Sequence, residues 1–333
     1  MIKIILSLCL SFAFSGAFSQ NIPVEYIPVK NITGIQQEKG TLKVFILAGQ
    51  SNAVGYNNIR EFHGGKKNYR IAFRKRSHIL FWPGSNARDG FANHWTRLQV
   101  GISDISDQPS FSKACFGPEI GFGETISEEL PNEDIAIIKY AVGATGIARS
   151  KDYQDYIPAL KGFDDKGKNW HPPVEAEEAG ILYQNLITNI RDALASLKQK
   201  GRNFEISGFI WMQGEHEAGI SRTMANDYGK LLTLFMNSVR HDLGVMNLPF
   251  VVGEINSHTW AFADIGRESQ ATACRNDPHS LLIKTTDLSR KGIGGLAHFD
   301  ADSMLTLGDR FANGMLQLLG IKSAEVTSRL VIQ

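Results

Sequence analysis

Lys43–Tyr56 reads KVFILAGQSNAVGY. Val44 to Leu47 is an apolar run of β-branched and aromatic residues, long enough for one buried strand. It stops abruptly at Ala48-Gly49-Gln50-Ser51-Asn52. Small residues there let the backbone turn sharply and leave one side chain at the end of the strand. A serine hydroxyl held in front of backbone N–H groups can attack a carbonyl carbon. The same residues also fit a plain strand-ending turn with a helix N-cap, since Ser and Asn are good caps. What surrounds the stretch decides between the two.

Outward from it, further short apolar runs appear at Ile135–Val142, Ile206–Met212, Pro249–Val252 and Leu281–Lys284. Helical patterns separate them. Phe116-Gly117-Pro118-Glu119 opens one that runs to about Leu130, with Pro118 in its first turn. A second runs from Val174 to about Lys200, with Ile181, Leu182, Leu186, Ile190, Leu194 and Leu197 at helical spacing. A third covers 222–243, with Tyr228, Leu231, Leu232 and Phe235 inward, and the last covers Asp302–Leu319. Strands alternating with helices predict an α/β fold, a three-layer α/β/α sandwich around a five-stranded parallel sheet. Residues 57–115 and 150–173 have little periodicity and read as surface loops, where binding often resides. Trp82 and Trp95 lie in the first of these and fit either a binding surface or a local core. In parallel sheets, ligands sit beyond the carboxyl ends of the strands. Gly49-Gln50-Ser51, Gly143 and Gln213-Gly214-Glu215 all fall at such ends.

The chain has 333 residues, 43% hydrophobic and 21% charged, which is ample material for a globular core. A formal net charge of +1 gives no whole-chain signal for nucleic acid. MIKIILSLCLSFAFSGAFSQ at the start reads as a secretory signal peptide over residues 1–19. Lys3 supplies the positive start, Ile4 to Phe14 the apolar centre, and Ala17-Phe18-Ser19 the small residues before cleavage at Gln20. The apolar run is short for a membrane span, so export to the periplasm or the exterior is expected, with no stable membrane insertion. Residues 20–333 show no repeat and no linker and read as one domain. Of the mature cysteines, Cys115 and Cys274 could pair in an exported protein or remain buried thiols. Neither has the spacing of a metal site.

A serine nucleophile needs a base. His298 follows the fifth apolar run and precedes the last helix, in Gly294-Gly295-Leu296-Ala297-His298-Phe299-Asp300, so a loop returns it to the carboxyl edge. Trp211-Met212-Gln213-Gly214-Glu215 delivers an amide and a carboxylate from one buried strand. The amide could donate to an oxyanion; the carboxylate could orient a histidine or bind a sugar hydroxyl. Both also fit a structural hydrogen-bond network.

GQSN at 49–52, GPE at 117–119, WMQGE at 211–215 and HFD at 298–300 resemble, in order and spacing, the SGNH hydrolase superfamily. The branch they most resemble is the sialate O-acetylesterase-like family, which includes the acetylxylan esterases of carbohydrate esterase family six. The likeness spans roughly residues 43–319. It implies a serine esterase that removes acetyl groups from carbohydrate and needs no metal or organic cofactor. Ser51 is then the nucleophile and His298 the general base. The backbone N–H groups of Ser51 and Gly143 and the side chain of Gln213 form the oxyanion hole. The resemblance breaks at one important place: the family's acid, three residues before the histidine, is Gly295 here. Glu215 is the first substitute, with Asp287 and Asp300 behind it, and a Ser–His pair alone is the remaining option. The third strand also ends in Met212 where relatives often carry histidine. The rival reading is a carbohydrate-binding protein on an esterase scaffold that has lost turnover. A lipase or thioesterase fits less well, because the loops offer scattered Trp and polar residues rather than a long apolar groove.

Overall fold

A computed structural model of the chain describes residues 40–59, 76–84, 90–102, 115–153, 165–174, 178–256, 260–293 and 295–321, with a few isolated positions between 62 and 87. The expected signal peptide and the lead-in to residue 39 lie outside the described residues, as does Gly294.

Seven strands form one sheet: β1 Leu42–Gly49, β2 Arg76–Trp82, β3 Thr96–Leu98, β4 Ile135–Ala141, β5 Phe204–Met212, β6 Phe250–Gly253 and β7 Ser280–Ile283. Their order is β3-β2-β4-β1-β5-β6-β7, and every neighbouring pair is parallel except β2 with β3. The helices are α1 Ser51–Val54, α2 Glu119–Glu129, α3 Ile181–Gln199, α4 Glu215–Ile220, α5 Arg222–Leu243, α6 Ala263–Arg275 and α7 Ala301–Leu318.

The two-residue period of β1 divides its side chains between two cores. Phe45 and Leu47 join a cluster with Phe122 and Ile126 of α2 and Leu305, Phe311 and Met315 of α7. Val44, Ile46 and Ala48 join another with Leu186 and Ile190 of α3 and Leu232 and Phe235 of α5. A strand apolar on both faces is thus covered by helices on both faces, as a central parallel strand requires. The three-layer α/β/α architecture follows.

The sheet has seven strands rather than the five expected. β2 and β3 both arise within residues 57–115, the region that reads as loops. Trp82 and Trp95 pack edge-on there with ring centroids 5.5 Å apart, and both are buried. Their indole N–H groups donate to Asn189 Oδ1 and Ala193 O of α3, so both belong to the core. α3 begins at Ile181, after Gly180, rather than at Val174. Cys115 and Cys274 are buried thiols that do not pair with each other; the Cys115 thiol donates to Asn57 O. Among the described residues no helix is long and apolar enough to cross a membrane.

The placing of β1 between β4 and β5 matters most for function. It brings the loops after these three strands together at one edge. Gln50 N donates to Met212 O at 2.9 Å, and Val142 N donates to Gly49 O at 2.9 Å. Gly49 has φ of 142°, and a Cβ there would lie 2.0 Å from Met212 O. No side chain fits that approach, so glycine is what allows the turn that follows.

Candidate active site

Ser51 is the first residue of α1, a four-residue helix closed by Gly55, whose N–H bonds to Ser51 O. The far end of α1 is anchored from below. Lys139 Nζ donates to Val54 O at 2.9 Å and pairs with Glu119 Oε2 at 2.8 Å, while Glu119 Oε1 accepts from Gly117 N at 2.9 Å. Burial lowers the Lys139 ammonium from its ordinary range, and the Glu119 carboxylate opposes that fall. The glutamate of GPE is therefore a fastening for the nucleophile turn, not a reacting group. Ser51 is 8% exposed at the edge of the sheet. Among the described residues no acceptor takes the N–H of Ser51 or of Gly143. Two backbone donors thus remain open at this edge of the sheet.

His298 sits on a loop folded back on itself: Gly292 N donates to His298 O at 3.0 Å, and His298 N to Gly295 O at 3.1 Å. Asn52, the residue after Ser51, fixes this loop on both sides of the histidine. Its Nδ2 donates to Ala297 O at 3.2 Å and its Oδ1 accepts from Phe299 N at 3.2 Å. Ile293 N donates to Tyr56 O at 2.9 Å. The Tyr56 ring stacks on the imidazole, 4.7 Å between centroids at 28°, and the Tyr56 hydroxyl lies 3.1 Å from where a Cβ on Gly143 would stand. Ser51, His298 and Gly143 are thereby gathered around Asn52 and Tyr56. No hydrogen bond joins Ser51 Oγ to His298 among the described residues; the link between them runs through Asn52. Such catalytic bonds commonly tighten only when substrate is present.

None of the three candidate acids is hydrogen-bonded to the His298 ring. Glu215 Oε1 accepts from Asn52 Nδ2 at 2.8 Å, and Oε2 is buried without a partner. Asp287 is held by Arg310 Nη1 at 2.7 Å and Nη2 at 2.5 Å, which also draws its carboxyl below the usual range. Asp300 caps α7, accepting from Ser303 N at 2.9 Å. What the imidazole does have is a backbone carbonyl: Nδ1 bonds to Ile293 O. A carbonyl only accepts, so Nδ1 carries the proton and Nε2 keeps the lone pair, the tautomer a base requires. Gly295 stands in open space at φ of 76°, a turn position where an added Cβ would meet nothing within 4 Å.

Gln213 is fully buried, and its amide N–H groups are engaged. Nε2 donates to Glu217 Oε2 at 2.7 Å and Thr145 O at 3.0 Å, with Gln50 Oε1 at 3.3 Å, while its Oε1 accepts from the Tyr228 hydroxyl at 2.9 Å. In this arrangement the amide braces the β4 and β5 loops. Glu217 extends the brace by accepting from Ile147 N and Ala148 N at 2.5 and 3.0 Å. Glu215 and His216 are also affected by burial. The Glu215 carboxyl is pushed up to about 7, partly offset by the bond from Asn52 and augmented by Glu217, and the His216 imidazole is lowered. Among the described residues no group of three or more His, Cys, Asp or Glu could hold a metal ion.

Asn52, Tyr56, Glu217 and the Ile293 carbonyl are site components that the sequence does not single out. For Asn52 and Tyr56 the signal was present, because both fall inside the opening stretch. For Glu217 it was its place in the first turn of the helix that follows β5, two residues after the WMQGE run.

Comparison with known proteins gives a consistent picture. No curated protein matches the chain in sequence. Among solved structures, a protein from Arabidopsis thaliana superposes with a TM-score of 0.58 at 20% identity, covering 83% of this chain and 98% of its own. NanS superposes with a TM-score of 0.56 at 17% identity, covering 85% and 98%. A carbohydrate acetylesterase from Xanthomonas citri superposes with a TM-score of 0.54 at 16% identity, covering 84% of this chain and 57% of its own. At these identities the likeness establishes a shared fold. The model of the family described as carbohydrate esterase, sialic acid-specific acetylesterase, matches residues 41–317. The chain therefore belongs to that family of carbohydrate esterases, which are carboxylic ester hydrolases.

Proposed function

We propose that the protein is an exported serine esterase that removes O-acetyl groups from carbohydrate through an acetyl-serine intermediate. The observation that carries the reading is the convergence at one sheet edge of Ser51, two open backbone donors, and a histidine loop tied to Asn52. Ser51 Oγ attacks the acetyl carbonyl carbon as His298 Nε2 takes its proton. The carbonyl oxygen becomes an oxyanion facing the N–H groups of Ser51 and Gly143. Collapse of the tetrahedral intermediate breaks the bond to the sugar oxygen, which leaves with the proton from Nε2. Water then attacks the acetyl-serine with the same histidine as base, releasing acetate.

The Ile293 carbonyl accepts from Nδ1 and holds the imidazole in the tautomer that leaves Nε2 to take the proton. The apolar start of the chain, with Lys3 before it and Ala17-Phe18-Ser19 after it, supports export.

Hydrolysis of p-nitrophenyl acetate by the purified protein, beside Ser51→Ala, tests the reading. Loss of the nucleophile should lower the rate by roughly three or more powers of ten. A serine-directed organophosphonate should label the wild type once, at Ser51. Equal rates for the two proteins would remove the proposal. An inert wild type that still bound acetylated sugars would favour the binding-protein alternative.

A further inference from the structure

Glu215 is 3% exposed, yet only one of its carboxyl oxygens has a partner. Burial holds its carboxyl well above the ordinary range, and Oε2 has nothing to bond. A buried polar group paired so poorly costs folding stability that an apolar residue of the same volume would not. The chain keeps it at the edge where the chemistry lies.

What Glu215 touches is the Asn52 amide, which makes three bonds. Nδ2 donates to Glu215 Oε1 at 2.8 Å and to Ala297 O at 3.2 Å, and Oδ1 accepts from Phe299 N at 3.2 Å. Rotated by half a turn, the same amide would set Oδ1 against two acceptors and Nδ2 against an N–H donor. Each of its three bonds would be lost. The carboxylate is the partner outside the histidine loop, so it fixes which way the amide lies before that loop docks. We propose that Glu215 is a positioning residue for His298: it locks Asn52 in the orientation that grips Ala297 and Phe299, the two neighbours of the base. This role rests on the serine esterase reading, in which His298 is that base. It differs from the role of a triad acid, because the carboxylate acts through a side chain of the nucleophile turn and not on the imidazole. Tyr228 from α5, and His216 and Glu217 of its own helix, are the other titratable groups around it.

Glu215→Ala, Glu215→Gln, Asn52→Ala and the double alanine variant decide the matter. With p-nitrophenyl acetate, each single alanine variant should lose at least about tenfold in kcat with KM within about twofold, the signature of misplaced machinery rather than lost binding. Glu215→Gln retains an oxygen acceptor for Asn52 and should recover most of that loss. The double variant should be no more than about twofold slower than Asn52→Ala, because both changes break one chain of contacts. The imidazole nitrogen resonances of His298 give a readout independent of turnover. They should report one tautomer, protonated at Nδ1, in the wild type and Glu215→Gln, and a mixture in the alanine variants. Multiplying effects in the double variant, a glutamine variant as slow as alanine, or unchanged His298 resonances in the alanine variants would each overturn the proposal. The tautomer change in a protein whose rate is indifferent to Ser51→Ala would support the positioning role while removing the esterase reading.

Discussion

Replacing Glu215 with glutamine should change how stability depends on pH. The folded protein holds this carboxyl at about 7 against an ordinary value of 4.5. An acid raised in this way binds its proton more tightly when folded. Its contribution to stability is therefore fully present below the unfolded value and is lost as pH rises through the folded one. The gap from 4.5 to about 7 corresponds to roughly 3 kcal/mol at full ionisation. Integrating the linkage relation from about pH 5 to about pH 8 leaves roughly 2–3 kcal/mol inside that window. Glutamine does not titrate, is close in shape to the protonated acid, and keeps the acceptor for Asn52 Nδ2. Urea unfolding of both proteins at the two pH values gives the free energies, and every other titrating group cancels in the difference. The stability of Glu215→Gln relative to wild type should rise by about 2–3 kcal/mol from the lower pH to the higher. A relative stability that stays constant within about 0.5 kcal/mol would show that the carboxyl ionises normally and that its burial costs little.

Four further outcomes are expected. Lys139→Met should destabilise by about 3–5 kcal/mol in urea, because it leaves Glu119 buried without its cation. Gly49→Ala should fail to give a folded protein by near-UV circular dichroism, since its Cβ would meet Met212 O at 2.0 Å. Asp300→Ala should cost about 1 kcal/mol of stability through the lost α7 cap while kcat on p-nitrophenyl acetate holds within a few-fold. Rates on p-nitrophenyl esters should fall sharply from acetate to butyrate and octanoate; equal or rising rates would point to a lipase-like enzyme.

The strands that build the site were legible because their chemistry is uniform. β1, β4 and β5 are buried on both faces, and continuous apolar runs announce such strands. β2 was hidden by Arg76 and His78. Arg76 is 2% exposed and paired with Glu124 at 2.9 Å, a buried cation that reads in sequence as surface. α6 was hidden for the opposite reason. Its buried face is Ala263, Gly266, Gln270, Ala273 and Cys274, too small and too polar to produce an apolar period. Ser51, Gly143 and His298, the residues of the proposed mechanism, are read from their places at strand ends and before a helix. The partner of His298 could not be read, because Ile293 contributes a main-chain carbonyl that any residue would supply. The bond from the Gln213 amide to Glu217 could not be read either, because nothing in the sequence pairs those two side chains.

The grip of Asn52 on Ala297 and Phe299 joins positions 245 and 247 residues apart. Contacts of such separation form only after most of the intervening chain is in place. During synthesis the nucleophile turn emerges early, while the histidine loop emerges within the last part of the 333 residues. On the proposed mechanism, a nascent or truncated chain that ends before Ala297 holds Ser51 without its base. On that mechanism, the appearance of esterase rate during refolding marks the docking of the histidine loop on Asn52 rather than the pairing of the first strands.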